Sequence, residues 1–431
     1  MHHLPAAAEA GEAIGEDREV ERASDGRWFH LGAFGSLGTA CGITAFLIGM
    51  LGTFTVRVVG EMPVSELLLL AFAGMSVLWI ALTGRSPAPI PAPRLLAIFM
   101  LAEFIALLGY VLSDFYRGSA TADMLRGWSR MAFLALDLCC FAVLFGSGWK
   151  AFVLVQIGCV CAVVGPLING PLFGDYWKFC FAAPVTILVA LLVPRVFGYW
   201  TSVVAFFGLA ALHHVMDFRS LSMMSAAAGL LLLVRAFPPL SRRIVLIGGI
   251  ILGVALVPIL HQKVVSQASV RGNRSNVERS AMVEAAWEGF TESPLIGHGS
   301  WFSRTDIFTR FKQIRSINAT LLQAPGFDER DDKLMAIHSQ ILVSLAEGGI
   351  FGAAFFLIYG VMILWALWFV TIRRSWSPLT PLFLLTLLVA FWNFWMSPFS
   401  GVHRVEIAQA AALILCLWAE RKEFPGIWRN V

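Results

Sequence analysis

The chain has 431 residues, of which 58% are hydrophobic and only 14% charged, with a formal net charge of +4. With a mean hydropathy of +0.74, this excludes an ordinary soluble domain, in which about a quarter of residues are charged. A charge of +4 follows from membrane orientation and gives no reason to expect nucleic acid as a partner. The composition predicts an all-α integral membrane protein.

Residues 1–27 carry Glu9, Glu12, Glu16, Asp17, Glu19 and Glu21 and lack the basic start and short apolar core of a signal peptide, so a disordered cytoplasmic tail is expected there. A hydrocarbon core about 30 Å thick needs roughly 20 apolar residues at about 1.5 Å of rise each. About twelve transmembrane helices meet that test, near 31–54, 62–84, 94–113, 127–147, 149–170, 176–194, 196–213, 219–237, 244–260, 338–371, 378–398 and 404–419. Nine lie within 28–260 and three within 338–420, and 421–431 forms a second cytoplasmic tail. Arg85, Arg94, Lys150, Arg195, Arg235, Arg242, Arg243, Arg373, Arg374, Arg421 and Lys422 then gather on the cytoplasmic face. The large loop, residues 261–337, faces outward, which in a bacterium is the periplasm. Short outward connections carry chiefly Arg57, Arg117, Arg126, Arg219 and Arg404, and each invites a reason for its presence.

All seven cysteines fall in expected spans, so no disulfide holds the loop and it must fold by packing on the bundle. Cys159 and Cys161, two apart, point to different helix faces and make no shared metal site. No repeat divides the chain, which predicts one membrane domain elaborated by its loop. Within the loop, Asn276 to Glu292 sets Met282, Ala285, Ala286 and Phe290 at helical spacing, predicting an amphipathic helix that stops at Ser293-Pro294. A tight turn at Pro294-Leu-Ile-Gly-His-Gly299 follows, then a helical stretch over 306–322 and a charged segment over 325–333.

Three outward residues suggest an anion site beside a proton acceptor: Arg219 at the mouth of the eighth span, Arg279 in the loop helix, and His338 where the loop re-enters the membrane. Arginine presents a planar fork of donors to phosphate oxygens, and histidine accepts a proton near neutral pH. A diphosphate leaving group and a hydroxyl nucleophile need that pair. Plainer readings stand beside this one: Arg219 as a snorkelling helix-end cation, Arg279 as a surface residue beside Glu278 and Glu284, and His338 as an interfacial histidine. Arg404, with His403, opens the last span and is a third possible phosphate contact. His213, His214 and Asp217 flank Arg219. Asp328-Glu-Arg-Asp-Asp332 reads as a solvated charge run rather than a metal cluster, and Gly348 with Gly352 as a helix-packing pair.

The order of these residues resembles the O-antigen ligase and polymerase superfamily. The pattern is Arg279, then Pro294-Leu-Ile-Gly-His-Gly299, then His338 opening an apolar helix with Ala346-Glu-Gly-Gly-Ile-Phe-Gly352, preceded by Phe218-Arg219-Ser220 at the head of another. It covers residues from about 200 to 400. The sequence departs from the family at Phe218, where serine is usual, at Ser339, where asparagine often follows the histidine, and across Phe173 to Lys178, which lacks a Pro-Asn step.

The resemblance implies a metal-independent, inverting membrane glycosyltransferase of the GT-C type that needs no cofactor. Its donor would be a glycan on undecaprenyl diphosphate and its acceptor a sugar hydroxyl, of lipid A core in a ligase or of a growing glycan in a polymerase. It would work in the bacterial inner membrane with its site facing the periplasm. Arg219 and Arg279 would bind the donor diphosphate, with Arg404 as a further contact, and His338 would act on the acceptor hydroxyl. A transporter of the same lipid-linked glycans is the rival from another class. It should place ionisable residues near the bilayer midplane, where Glu103 and Asp137 are the main acids, and show related halves.

Overall fold

The computed structural model describes residues 36–57, 61–170, 175–238, 240–249, 251, 270–301, 306–321 and 337–423. In lipid every backbone N–H and C=O must be satisfied within the segment, so long apolar runs cross as helices. The chain proceeds through α1 (Ser36–Leu51), a hairpin of β1 (Thr55–Arg57) and β2 (Glu61–Pro63), α2 (Val64–Thr83), α3 (Pro93–Arg117), α4 (Thr121–Gly146), α5 (Trp149–Cys161) and α6 (Val164–Asn169). A π-helical turn (Trp177–Phe181) leads into α7 (Ala182–Val196), then come α8 (Gly198–Val215) and α9 (Arg219–Arg235). The loop contributes α10 (Val270–Glu292) and α11 (Asp306–Leu321). After it follow α12 (Gln340–Gly352), α13 (Ala354–Trp368), α14 (Thr380–Met396) and α15 (Gly401–Glu423).

Among the described residues, Val64–Thr83, Pro93–Arg117, Thr121–Gly146, Trp149–Asn169, Trp177–Val196, Ala354–Arg373 and Gly401–Arg421 are long and apolar enough to cross a membrane. The protein is therefore an all-α, multi-pass membrane protein. The apolar helices α1 and α14 are shorter, and α8 and α9 fill two further expected spans. Residues 240–249 are helical, while most of the expected span at 244–260, the first tail and residues 424–431 of the second lie outside the described residues; 421–423 continue α15.

One expected span is corrected. Residues 338–371 do not form a single helix, because Gly349 takes φ 65°, ψ −160° and breaks the path. The segment before the break, headed by Ser339, is almost wholly buried. Its two ends meet the loop-bearing ends of crossing helices: Ser339 Oγ donates to Phe394 O in the last turn of α14 at 3.5 Å, and Ser113 Oγ near the end of α3 donates to Glu347 O at 2.7 Å. This part of α12 thus lies in the outer layer of the bundle. Only after Gly349 does the chain descend, through α13.

The bundle closes by ordinary helix packing. Helix α4 presents Leu134, Leu138, Phe141 and Phe145 at three- and four-residue spacing and packs against α15, whose Ala408, Ala411, Ala412 and Leu415 are fully buried. Phe152 and Phe383 extend the aromatic cluster from Phe145. Helices α1 and α5 approach so closely at Gly49 and Gly158 that a Cβ on either would fall 2.1 or 2.2 Å from a backbone carbonyl of the other helix.

Candidate active site

The sequence predicts the loop helix from Asn276, and the structure extends it back to Val270. Its apolar face, with Val277, Ala281, Ala285 and Ala286 buried, lies over the bundle and packs on α12, while Met282 and Phe290 join the core partly buried. Arg310 of α11 reaches back to Glu292 at 2.5 Å, tying the second loop helix to the first. The 325–333 segment and the acids at 328–332 lie outside the described residues.

The turn at 294–299 and the break at 349 interlock. Ile350 N donates to Pro294 O at 2.8 Å, His298 N to Ala346 O at 2.9 Å and Gly299 N to Glu347 O at 2.9 Å. The last two satisfy carbonyls freed where α12 breaks, and the first satisfies the Ile350 N–H just past the break. Helix α3 completes the clasp: Gly299 N donates to Ser113 Oγ, Ser300 N and Oγ donate to the Asp114 carboxylate, and Arg117 donates to Gly297 O and Ser293 Oγ. His298 Nε2 sits 2.9 Å from Gly289 O, which can only accept, and burial holds its imidazole below the usual histidine range. Beneath the turn, the Glu347 carboxylate pairs with Arg130 of α4 and accepts from Trp301 N at 3.1 Å. The Arg130 guanidinium lies 5.8, 5.0 and 5.5 Å from the ring centroids of Tyr110, Trp301 and Phe399. Glu347 is 2% and Arg130 5% exposed.

This clasp fixes α12 under α10 and so sets where His338 lies. His338 Nδ1 is 3.4 Å from Met282 Sδ on α10, and Ser339 caps α12 by accepting from Leu342 N. Arg279, exposed, stands one turn before Met282 on the same helix. The structure therefore brings His338 to the helix that carries Arg279. Arg219 begins α9 at the same face, beside α14: Leu221 and Met224 pack with Val389 and Trp392, while Ser339 bonds to Phe394 of the same helix. Arg219 is exposed and pairs with Asp217 at 3.1 Å, Asp217 itself taking φ 52° to turn the chain from α8 into α9.

Arg404 is not brought to this group. It is 7% exposed and holds Glu66 through two hydrogen bonds of 2.9 and 2.8 Å, so its guanidinium fork is committed to a carboxylate rather than turned to solvent. His403 lies 2.7 Å from Ser400 Oγ. His213 is buried, with Nδ1 accepting from Trp177 Nε1 and Nε2 beside Thr186 Oγ1, so it holds a neighbouring helix start; His214 is exposed. Two of the other arginines expected to face outward also have reasons: Arg117 belongs to the clasp, and Arg126 pairs with Asp123 at 3.5 Å. Glu103 and Asp137 are buried with carboxylates lacking hydrogen-bond partners among the described residues. All seven cysteines are free, and among the described residues no cluster of three or more His, Cys, Asp or Glu side chains forms.

A cavity of about 320 Å³ is lined in part by Leu221, in the first turn of the helix that Arg219 begins. Gly52, Thr53, Pro166, Lys178, Leu221 and Val402 line its loop-bearing end, and Ile187, Tyr359 and Leu385 lie along its apolar depth. Its acid, Glu406, accepts from Asn393 Nδ2 at 2.7 Å. Sequence reasoning missed Arg130, Asp114 and Lys178 as parts of this region, and it quoted Glu347 in the Ala346 to Gly352 pattern without giving it a role.

Residues 201–357 match the family model described as O-antigen ligase. That stretch contains Arg219, Arg279, the 294–299 turn, His338 and the Gly349 break. The match supports a glycosyltransferase-like membrane enzyme of the ligase or polymerase type, acting on a lipid-linked glycan. No curated protein and no solved structure matches the chain.

Proposed function

We propose, from the match of residues 201–357 to the family model described as O-antigen ligase, that this enzyme transfers a glycan from undecaprenyl diphosphate to a hydroxyl of lipid A core. The reaction occurs at the loop-bearing face, which is the periplasmic face of the inner membrane. The observation that carries the reading is the meeting of His338 with the Arg279 helix, at Met282, under a clasp that fixes both.

In this reading the acceptor oxygen attacks the anomeric carbon from the side opposite the diphosphate. The new C–O bond forms as the anomeric C–O bond to the diphosphate breaks, inverting the configuration. His338 takes the hydroxyl proton, and the departing electron pair goes to the diphosphate oxygen. Arg219 and Arg279 offset that charge without a metal, as preorganised cations do for developing anions. The exposure of both arginines suits a headgroup that arrives from the membrane. Arg404, paired with Glu66, has no part in this scheme.

Polymerisation of repeat units uses the same donor and leaving group and differs only in the acceptor. Purified enzyme in proteoliposomes, given undecaprenyl-diphosphate-linked repeats with and without lipid A core, separates the two. Transfer that requires core is expected. Glycan ladders formed without core would replace the ligase reading by a polymerase, and efflux of donor without any new glycosidic bond would replace both by a transporter.

A further inference from the structure

Lys178 is a cation that neither the family match nor the pattern of Arg219, Arg279 and His338 explains. It lies on the π-helical turn Trp177–Phe181, a geometry often retained where a helix start serves a site. Three contacts hold the turn. Trp177 Nε1 donates to His213 Nδ1 at 3.3 Å, the two rings lie 5.5 Å apart, and Lys178 N donates to Asp175 Oδ1 at 2.9 Å. His213 is itself fully buried and flanked by Thr186 and Phe218, so α7, α8 and the head of α9 are locked together at this point.

The Lys178 ammonium lies 5.4 Å from the Phe179 ring and 5.8 Å from the Phe218 ring, the residue immediately before Arg219. Among the described residues no carboxylate lies within ion-pair distance of it. Lys178 also lines the loop-bearing end of the 320 Å³ cavity, which Leu221 of the Arg219 helix lines too. An uncompensated ammonium at the end of an apolar cavity, next to the helix that begins with Arg219, fits an amphiphile with an anionic head and a hydrocarbon chain.

We propose that Lys178 binds the diphosphate of the polyprenyl donor together with Arg219, with the first isoprene units of the donor entering the adjoining cavity. This rests on the donor assignment made above and adds to it a residue and a route for the chain. Lys178 supplies a point charge to an oxygen that the arginine fork of Arg219 does not occupy.

The test is equilibrium binding of undecaprenyl diphosphate, undecaprenol and phosphatidylglycerol to the full chain in nanodiscs. The variants are Lys178→Met, Lys178→Arg, Ala183→Phe, which fills the cavity wall, and Arg219→Met. Loss of one charge-assisted contact should weaken undecaprenyl diphosphate binding about tenfold in Lys178→Met. Lys178→Arg should restore most of it, Ala183→Phe should weaken undecaprenol as well, and undecaprenol should be indifferent to Lys178→Met. Wild-type affinity in Lys178→Met beside a loss in Arg219→Met would overturn the role of Lys178 while leaving the donor site standing. Wild-type affinity in both would overturn the donor site itself. Dependence of phosphatidylglycerol, and not of the polyprenyl lipid, on Lys178 would overturn the proposal in favour of a bilayer anchor.

Discussion

Replacing Glu347 by glutamine is expected to lower stability by about 3–5 kcal/mol, the usual cost of leaving one partner of a buried ion pair uncompensated. The amide keeps the shape but leaves Arg130, 5% exposed and enclosed by Tyr110, Trp301 and Phe399, without its counter-charge. The loss should spread to the loop, because Glu347 also receives Trp301 N and its own carbonyl receives Ser113 Oγ and Gly299 N. Thermal unfolding in detergent should show a clear fall in Tm for Glu347→Gln. The apolar double replacement Arg130→Met with Glu347→Leu should recover much of it, since no buried charge is then left alone. A Glu347→Gln variant as stable as wild type would show that the pair does not organise this region.

The second large effect is expected at Gly349. Its φ of 65° with ψ of −160° is a conformation reserved in practice for glycine, and strain of that kind costs on the order of 1–3 kcal/mol. A Cβ there would also fall 2.4 Å from Leu295 O and 2.6 Å from Leu295 C, both backbone atoms that cannot turn aside. Gly297 is its counterpart, with φ 76° and a Cβ position 2.4 Å from Glu347 O. Gly349→Ala should therefore separate the 294–299 turn from α12. Limited proteolysis should cut near Ser293 to Trp301 far faster than in wild type, and glycan transfer should fall with it. Gly74→Ala is the control: it lies within α2 with nothing within 4 Å of the added carbon, and it should be neutral or slightly stabilising. Equal protease resistance in Gly349→Ala and Gly74→Ala would contradict the interlock.

Much of the architecture is legible in hydropathy alone, because lipid forces long apolar runs into helices whatever their partners. The loop helix is legible for the same kind of reason: Met282, Ala285, Ala286 and Phe290 repeat at the helical period, and they face the bundle. The break at Gly349 is not. Residues on both sides of it are equally apolar, so hydropathy reads 338–371 as continuous, and only the docking of Pro294 to Gly299 on Gly349 and of Tyr110 on Gly348 reveals why two adjacent glycines stand there.

The ion pairs show the same limit more sharply. Arg130 and Glu347 are 217 positions apart, and Glu66 and Arg404 are 338 apart. Nothing in the local pattern of either residue names its partner. Arg404 looks like a free outward cation beside His403 until Glu66 is seen to hold it. Lys178 is the opposite case, hidden in an aromatic run where it resembles an ordinary helix-end lysine, and only the cavity and the Phe218 ring set it next to the helix that Arg219 begins. His213 likewise reads as a possible modulator of Arg219, whereas both of its ring nitrogens are used to fix Trp177 and Thr186.

The central claim is that His338 receives the acceptor proton at a site where arginines hold the donor diphosphate. It is tested most directly by single-turnover glycan transfer with saturating undecaprenyl-diphosphate-linked donor, comparing wild type with His338→Ala, with donor affinity measured in parallel. The account predicts a fall in the transfer rate of about 10²- to 10⁴-fold, the usual worth of a general base, with donor affinity nearly unchanged. A wild-type rate in His338→Ala, or a loss explained wholly by weakened donor binding, would contradict it.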